Sequence, residues 1–317
     1  MIAHSELINK LNEATGLTDT QLYRIIIRSP HTYKVYSIPK RSGGTRTIAQ
    51  PAKETKFLQR WLINNIFEDL PLHECATAYK KNSSIKKNAD AHKNNIYIFK
   101  YDFRDFFSSI NETDLIQHFT KYLINNISEN DIRLVARLSC IFNKQSQARV
   151  LSIGAPSSPL LSNSVMFDFD CEVSNWCNNN GFVFTRYADD ITISTSKKGN
   201  SLLLNEYVSK AIFNLSYPKI QLNSDKTIHL SKKHQRRVTG LIITNENQLS
   251  IGRFTKRKIS ALIHQFKLAK LSNDDTFYLQ GLLGFAKNIE PEFIVSMRKK
   301  YSCAILDSIF QIRSKIL

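Results

Sequence analysis

The order of apolar and polar positions along the chain predicts a mixture of helices and strands without an internal repeat. Apolar residues three or four positions apart predict helices within 1–29, 53–70, 112–142, 160–177, 202–215, 255–271 and 277–317. Runs rich in β-branched and aromatic residues predict strands at 33–38, 95–103, 182–187, 191–195, 237–243 and 248–251, with a further strand within 39–48. This arrangement indicates an α+β fold.

Residues 182–195 hold two strand-like runs separated by Ala188, Asp189 and Asp190, which predicts a hairpin with two carboxylates at its tip. Adjacent carboxylates repel each other, so the pair indicates a bound cation, and a hard divalent metal prefers oxygen ligands of this kind. Asp274 and Asp275 form a second pair, but they follow Ser-Asn and precede an apolar run. That context is typical of a solvated loop or a helix start.

The predicted strand 95–103 is apolar on both faces and carries Asp102 near its C-terminal end. A buried charge needs a partner, so Asp102 is the third predicted metal ligand. The chain between Asp102 and Asp189 is long enough for a helical layer that lets the two strands become neighbours in one sheet. Asp105 could cap the following helix and is not counted as a ligand.

Composition points to a polyanionic partner. The 317 residues include 44 Lys plus Arg against 27 Asp plus Glu, a net charge of +17 with a pI near 9.6. Nucleic acid fits this excess better than a membrane, because no long apolar segment is present. The five cysteines form no Cys-x-x-Cys pair, which is typical of reduced cytosolic thiols. The N-terminal residues are too polar for a signal peptide, so we expect no export.

Basic residues are concentrated in a predicted hairpin tip and in the segment that begins at Lys226. A predicted hairpin tip carries Lys40, Arg41 and Arg46 beside two glycines and can close over phosphates, although a solvated basic hairpin has the same pattern. Lys226 is a candidate cation near a triphosphate or a solvated turn lysine. From residue 226 to 270 there are eleven Lys plus Arg and one acidic residue, Glu246, and the helix within this segment fits an element that grips a duplex.

For two further segments, a purely structural interpretation and a functional one both fit the sequence. The small residues of 151–159, including Gly154, permit a base pair or ribose to lie against the backbone, but an ordinary loop and helix start would look the same. His92 lies in a polar segment and fits a histidine in a capped turn at least as well as a ligand.

An ordered set of motifs along the chain resembles the reverse transcriptases. Tyr187-Ala188-Asp189-Asp190 is preceded by Asp102 with Phe106-Phe107 and by the loop Gly154-Ala155-Pro156. Asn88-Ala89-Asp90-Ala91-His92 and Val238-Thr239-Gly240 resemble the Asn-Ala-x-x-His and Val-Thr-Gly motifs of the bacterial retron subgroup. The set spans roughly residues 33–252. The resemblance implies a right-hand polymerase with fingers, a palm built on an antiparallel sheet, and a helical thumb.

The resemblance also implies roles for individual residues. Asp102, Asp189 and Asp190 match the catalytic aspartates that bind two Mg²⁺ ions for an in-line nucleotidyl transfer. The nucleotide-binding set it implies is Lys40, Arg46, Phe107, Gly154 and Lys226, with Phe107 matching the aromatic residue that excludes a ribose 2′-hydroxyl. The RNA-binding set it implies is Asn88, His92, Val238, Thr239, Gly240, Arg253, Lys256 and Arg257.

Retron enzymes copy part of a structured non-coding RNA from the 2′-hydroxyl of an internal guanosine, so the resemblance implies a branched RNA–DNA product (msDNA) made from dNTPs. It further implies a bacterial cytoplasmic location, a role in antiphage defence, and an effector protein encoded nearby. One departure is clear, because Ser152-Ile153 stands where the family usually has Pro-Gln. The nucleotide contact and the role in fidelity that the family's glutamine has are therefore not assigned to Ile153.

The same resemblance divides the chain. It implies a helical appendage at 1–32, fingers with parts of the palm at 33–100 and 106–160, palm at 96–107 and 161–240, and an RNA-binding thumb at 241–317.

Two alternative functions remain open. The chain could act as a nucleic-acid-binding scaffold that restrains a toxic effector, or it could be a reverse transcriptase of a group II intron or a diversity-generating element.

Overall fold

The computed structural model describes residues 5–40 and 43–312, and the statements below refer to these residues. The helices are α1 (Glu6–Thr15), α2 (Asp19–Arg28), α3 (Lys53–Asn65), α4 (Ile85–Asp90), α5 (Phe106–Ser109), α6 (Glu112–Leu123), α7 (Glu129–Leu138), α8 (Ser158–Val165), α9 (Phe167–Asn180), α10 (Ser201–Phe213), α11 (Arg253–Lys267), α12 (Asn273–Ile289), α13 (Pro291–Tyr301) and α14 (Cys303–Gln311). Short 3-10 turns lie at Ser29–His31, Phe67–Asp69 and Ser224–Lys226.

The strands are β1 (Tyr33–Pro39), β2 (Thr45–Pro51), β3 (Tyr97–Asp102), β4 (Ile141–Asn143), β5 (Ala148–Val150), β6 (Val183–Tyr187), β7 (Asp190–Thr195), β8 (Ile228–Leu230), β9 (Arg236–Val238), β10 (Leu241–Ile243) and β11 (Leu249–Ser250). The expected mixture of helices and antiparallel strand pairs is confirmed. None of the helices in the described residues is both long and apolar enough to cross a membrane.

The chain divides into two compact units. The first unit comprises Met1–Ser83 and Phe99–His229, and the second comprises Ser84–Ile98 and Leu230–Leu317. The chain therefore leaves the first unit for fifteen residues and returns to it along β3 before its C-terminal part completes the second unit.

A four-stranded sheet in the order β6-β7-β3-β8 positions the carboxylates of the first unit. β6 and β7 pair antiparallel from Val183 opposite Ser194 to Tyr187 opposite Asp190, so Ala188 and Asp189 form a two-residue turn. β-branched and aromatic side chains favour such strands, and Ile191 and Ile193 are fully buried. The predicted hairpin is confirmed, with Asp190 as the first residue of β7 and not part of the turn.

β1 and β2 form a separate hairpin that pairs in register from Tyr33 opposite Pro51 to Pro39 opposite Thr45. Most of β1 is exposed, whereas the end of β2 is buried at Ala49. The backbone N–H of Ala49 donates to the carbonyl of Ile153 at 2.8 Å, which ties the base of this hairpin to the loop before α8.

The helices of the first unit agree only in part with the sequence prediction. Two helices, α1 and α2, lie within the predicted helical segment 1–29, and Thr18 and Gln21 form a capping box at the start of α2. The single helix predicted for 160–177 is wrong, because α8 ends at Val165 and α9 begins at Phe167. Met166 between them has ψ of 6°, far from the helical value, so the series of backbone hydrogen bonds is interrupted there.

In the second unit, α4, the sheet β11-β10-β9 and α11–α14 enclose one apolar core. Its fully buried members include Ile259 and Ile263 of α11 and Leu279 and Leu283 of α12. The single strand predicted for 237–243 is wrong. Thr239 and Gly240 have positive φ of 45° and 85° and form a turn that reverses the chain, so β9 and β10 are two antiparallel strands.

Candidate active site

Asp102 and Asp189 meet at the centre of the four-stranded sheet. Asp102 is the last residue of β3, and its neighbour Phe103 donates its backbone N–H to the carbonyl of Asp189 at 3.1 Å. The Asp102 side chain is 8% exposed. The sheet therefore brings together the strand-end carboxylate and the hairpin-turn carboxylate, which are 87 residues apart in sequence (189 − 102).

The ionisation of Asp189 and Asp190 is affected by burial and by neighbouring carboxylates. Burial raises the pKa of Asp189, and the charge of Asp102 raises it further. Burial raises the pKa of Asp190 to about 6; Lys100 opposes this change, while Asp189 and Asp102 add to it. Mutual repulsion of this kind is relieved when a cation is held among the carboxylates.

Lys226 supplies one positive charge at this place. Its Nζ donates to Asp102 Oδ1 at 2.7 Å while the lysine side chain stays 59% exposed. The segment that carries it is fixed along the end of β3, because the backbone N–H of Asn223 donates to the carbonyl of Asp102 at 2.7 Å. The hydrogen bond to Asp102 raises the pKa of Lys226.

The donor chemistry of this cluster fits a hard divalent ion. Within residues 5–40 and 43–312, no group of three or more His, Cys, Asp or Glu side chains is arranged to hold a metal ion as it stands. Mg²⁺, however, is commonly bound by one or two carboxylates together with water and substrate phosphates. Asp102, Asp189 and Asp190 supply carboxylate oxygens, and the Lys226 ammonium shows that positive charge is accommodated beside them.

Of the predicted phosphate-binding cations, Arg46 acts electrostatically on the carboxylates. It lies on β2 opposite Ile38, and its charge lowers the pKa of Asp189. Lys40 is exposed at the end of the same hairpin, where its backbone N–H donates to the carbonyl of Gly44 at 3.0 Å. Arg41 lies outside the described residues.

Phe107 is half-buried on α5 and has an aromatic neighbour that the sequence did not indicate. The ring of Tyr79 lies edge-on with its centroid 6.5 Å from that of Phe107. Tyr79 has a left-handed backbone, with φ of 59°, and burial together with the charge of Asp189 raises the pKa of its hydroxyl. Tyr79 sits in a polar segment without periodicity, so its sequence context carried no signal.

Gly154 lies where the loop before α8 approaches β2. Its φ is 121°, and a Cβ at this position would stand 2.8 Å from the carbonyl oxygen of Ala49. The glycine is therefore required by the contact between loop and strand, whatever it contributes to nucleotide binding. Ile153, at the position that departs from the reverse transcriptase motif, is 38% exposed.

Arg186 is a second residue that sequence reasoning missed. It is fully buried directly before the Tyr-Ala-Asp-Asp motif and pairs with Asp170 of α9. An arginine inside an otherwise apolar strand was the available signal, because such a charge requires a buried partner. The partner itself could not be chosen from the sequence.

In the second unit the two predicted RNA-recognition motifs touch each other. The Asn88 side-chain amide donates to Thr239 Oγ1 at 3.4 Å, and Thr239 Oγ1 donates to the carbonyl of Ile85 at 3.1 Å. Asn88, His92 and Val238 are buried, and burial lowers the pKa of His92 to about 3. The Asn88 side chain therefore supports the turn from inside, and Thr239 and Gly240 form the turn itself.

The predicted RNA-binding residues of α11 differ in exposure. Arg253 and Arg257 are exposed, whereas Lys256 is half-buried and forms an ion pair with Glu290. The charge of Lys256 is thereby offset. Arg236, another member of the basic segment, is 1% exposed and donates to the carbonyl of Asn95, so it is a structural cation.

Comparison with known proteins shows the family to which the chain belongs. The family described as reverse transcriptase (RNA-dependent DNA polymerase) matches residues 38–243. The chain is 41% identical to Retron Ec83 reverse transcriptase of Escherichia coli over 280 residues, covering 87% of this chain and 89% of the relative. It is 35% identical to Retron Ec73 reverse transcriptase of Escherichia coli, again covering 87% and 89%.

A solved structure supports the fold. Apo telomerase from Candida tropicalis aligns with a TM-score of 0.52 at 13% sequence identity, over 94% of this chain and 62% of the telomerase chain. This similarity confirms the right-hand polymerase fold and the α+β class. With the family match and the retron relatives, it leads to one identification: the chain belongs to the retron reverse transcriptases, which are RNA-directed DNA polymerases.

Proposed function

We propose that the protein copies part of a cognate structured non-coding RNA into DNA, starting from a 2′-hydroxyl of that RNA and giving a branched RNA–DNA product (msDNA). The observation that carries the chemistry is the convergence of Asp102 with Asp189 and Asp190 beside Lys226, where the two central strands β3 and β7 of the four-stranded sheet meet. The retron relatives supply the reason to expect a structured RNA template.

In this proposal Asp102, Asp189 and Asp190 hold two magnesium ions, which would lower the pKa of the attacking hydroxyl and offset charge on the leaving oxygens. The raised pKa of Asp189 and Asp190 supports it, because the crowded carboxylates gain from any cation bound between them. The palm is assigned to 96–107 and 161–240.

Four further residues of the first unit bind and orient the nucleotide. Arg46 and Lys40 contact the triphosphate from the β1–β2 hairpin, within the fingers assigned to 33–100 and 106–160. Lys226 lies beside Asp102 and stabilises the leaving pyrophosphate. Phe107 would lie against the sugar and exclude a ribose 2′-hydroxyl by its volume, as the family resemblance implies.

The second unit holds the RNA. Arg253 and Arg257 of α11 contact phosphates, and the Thr239-Gly240 turn contacts the structured RNA while Asn88 holds that turn in place. His92 is buried in the same unit. This assignment gives the thumb, residues 241–317, a duplex-binding role. Because RNA duplexes are recognised mainly by shape, phosphates and 2′-hydroxyls, an exposed basic helix is adequate to the task.

The catalytic assignment is tested by replacing Asp189 and Asp190 with Asn and measuring DNA synthesis on a primed RNA template. We expect synthesis to be lost while RNA binding is retained. Asp274→Asn with Asp275→Asn is the matched control, because these residues form an equivalent acidic pair at the start of α12. Undiminished synthesis by the Asp189 and Asp190 variant would refute the catalytic role of these two residues. An absence of synthesis by the native protein would instead favour a purely RNA-binding scaffold.

The product is tested by sequencing nucleic acid that co-purifies with the protein when it is expressed with its flanking DNA. We expect DNA whose 5′ end retains a ribonucleotide after ribonuclease digestion. A free DNA 5′ end would instead point to a conventional primer, as expected of an intron-type or diversity-generating enzyme.

We further propose that this msDNA acts in antiphage defence in the bacterial cytoplasm together with an effector encoded nearby. The test compares phage plating on cells that carry the intact locus with cells that carry the Asp189→Asn, Asp190→Asn variant. Equal plating efficiencies on the two kinds of cell would refute the defence role without affecting the polymerase assignment.

A further inference from the structure

The turn that presents Asp189 has an unfavourable backbone. Ala188 has φ of 57°, in the left-handed region that residues with a Cβ seldom adopt. It is buried, at 4% exposure, and no glycine occupies either position of the turn. A conformation of this kind persists only where the surrounding structure fixes it.

Arg186 contacts this turn from beneath. Its Nη1 donates to the carbonyl oxygen of Ala188 at 3.0 Å and to Asn163 Oδ1 at 3.2 Å. Its Nε donates to Asp170 Oδ1 at 2.7 Å, and its Nη2 donates to Asp170 Oδ2 and to the Asn163 carbonyl. Every nitrogen of the guanidinium is thus engaged inside the protein.

The backbone of Arg186 is held as firmly as its side chain. Its N–H donates to the carbonyl of Cys75 at 2.8 Å, and its carbonyl accepts from the N–H of Thr77 at 2.8 Å. Asn163 extends the same network by donating its side-chain amide to the carbonyl of Ala78 at 2.7 Å. Neither the arginine nor its partners have room to shift without breaking several of these contacts.

Stability alone is a weak reason for such an arrangement. A buried ion pair loses the hydration of both charges, and apolar residues of similar volume often serve folding equally well. Only a planar donor with several N–H groups can pair with Asp170 on one side and hold the Ala188 carbonyl on the other. That second contact is what distinguishes this pair from an ordinary buried ion pair.

We propose that Arg186, fixed by Asp170 and Asn163, is a positioning residue that holds the left-handed Ala188 turn and so sets the placement of the Asp189 and Asp190 carboxylates. It acts through the turn and does not touch substrate. This inference rests on the proposed catalytic role of Asp189 and Asp190. A misplacement of about 1 Å in a catalytic group can cost about 10²-fold in rate, so a loosened turn should reduce kcat by roughly that factor.

The first test is Arg186→Lys in the full-length protein. Lysine keeps a positive charge beside Asp170 but loses the fork that also reaches Ala188. We expect a folded protein with kcat reduced about 10- to 10²-fold, KM for dNTPs within about twofold of the native value, and a higher Mg²⁺ concentration for half-maximal rate. Arg149→Lys, in the half-buried pair with Glu112, is the matched control and should change none of these quantities.

A second variant covers the case in which Arg186→Lys does not fold. Asp170→Leu combined with Arg186→Met removes both charges together and leaves apolar side chains of similar size, which a buried site tolerates far better than one unpaired charge. A folded double variant with the same fall in kcat and the same change in Mg²⁺ dependence supports positioning. Native kcat and native Mg²⁺ dependence in either folded variant overturn the inference.

The two proposals fail in different ways. If the Asp189→Asn, Asp190→Asn variant retains DNA synthesis, the catalytic assignment itself is wrong. If that variant is inactive while a folded Arg186 variant keeps native kcat and Mg²⁺ dependence, the assignment stands and only the positioning role is refuted. If activity falls only in proportion to the folded fraction, with Mg²⁺ dependence unchanged, Arg186 is structural and the inference is also refuted.

Discussion

Adding a single methyl group at Gly154 tests the contact between the loop before α8 and β2. The residue has φ of 121°, and a Cβ would meet the Ala49 carbonyl oxygen at 2.8 Å and a Ile48 methyl at 3.0 Å. The nearest atom belongs to the backbone and cannot rotate away. In a Gly154→Ala variant, either the loop before α8 must therefore move away from β2, or the β1–β2 hairpin must move away from the loop.

A substitution at Gly199 is the control that measures backbone strain without a steric clash. It also has a positive φ, 90°, but a Cβ there would meet nothing within 4 Å. Gly199→Ala should cost only the strain of a left-handed residue, about 1 kcal/mol. Gly154→Ala adds overpacking, typically about 1 to 3 kcal/mol, so its total is about 2 to 4 kcal/mol.

Thermal unfolding of the two purified variants measures the difference. For a unit of this size, 1 kcal/mol lowers Tm by about 2 to 4 °C, so Gly154→Ala should unfold at least about 2 °C below Gly199→Ala and up to about 12 °C below it. Equal Tm values for the two variants would show that the loop does not approach β2 as closely as the structure indicates.

Three further predictions concern pH, the sugar pocket and RNA binding. Burial lowers the pKa of His92 from 6.5 in the unfolded chain to about 3 in the folded protein, so the neutral imidazole stabilises the fold above pH 6.5 and this contribution is lost as the pH falls. Between pH 7 and pH 5 the free energy of unfolding, measured in urea, should therefore fall by about 2 kcal/mol. The His92→Asn variant should lack this part of the pH dependence. Phe107→Ala should raise ribonucleotide incorporation relative to deoxyribonucleotide incorporation roughly tenfold or more in single-turnover assays, and unchanged selectivity would exclude Phe107 from contact with the sugar. Arg253→Gln with Arg257→Gln should reduce the slope of log affinity against log salt by about 1.4 to 1.8, whereas Lys256→Gln, whose native charge is offset by Glu290, should leave the slope unchanged.

Much of the candidate site's geometry was predictable because its signals are local. The alternation around 182–195 identified a hairpin, and the residue types at its tip identified charge that needs a cation. Asp102 was found in the same way, as a lone acid at the end of an apolar strand. The structure joins these two local signals because β3 and β7 are neighbours in one sheet.

The errors arose where tertiary contacts override local preference. Residues 237–243 have the composition of one strand, yet the left-handed Thr239-Gly240 turn splits it, and Thr239 is held by contacts to α4 about 150 residues away. Arg186 and Tyr79 were missed for a related reason. Their partners come from segments distant in sequence, and a single sequence contains no pairing information for them.

The two turns at the motifs share one physical feature. In each unit a residue with a Cβ, Ala188 or Thr239, adopts a left-handed conformation at a motif turn. Each is held from inside the fold, the first by Arg186 and the second by Asn88 together with the Ile85 carbonyl. Because a left-handed residue of this kind is unfavourable by itself, the geometry of each turn depends on buried groups that need not touch a ligand. Substitutions at those buried groups should therefore alter activity or RNA binding while leaving every surface residue in place.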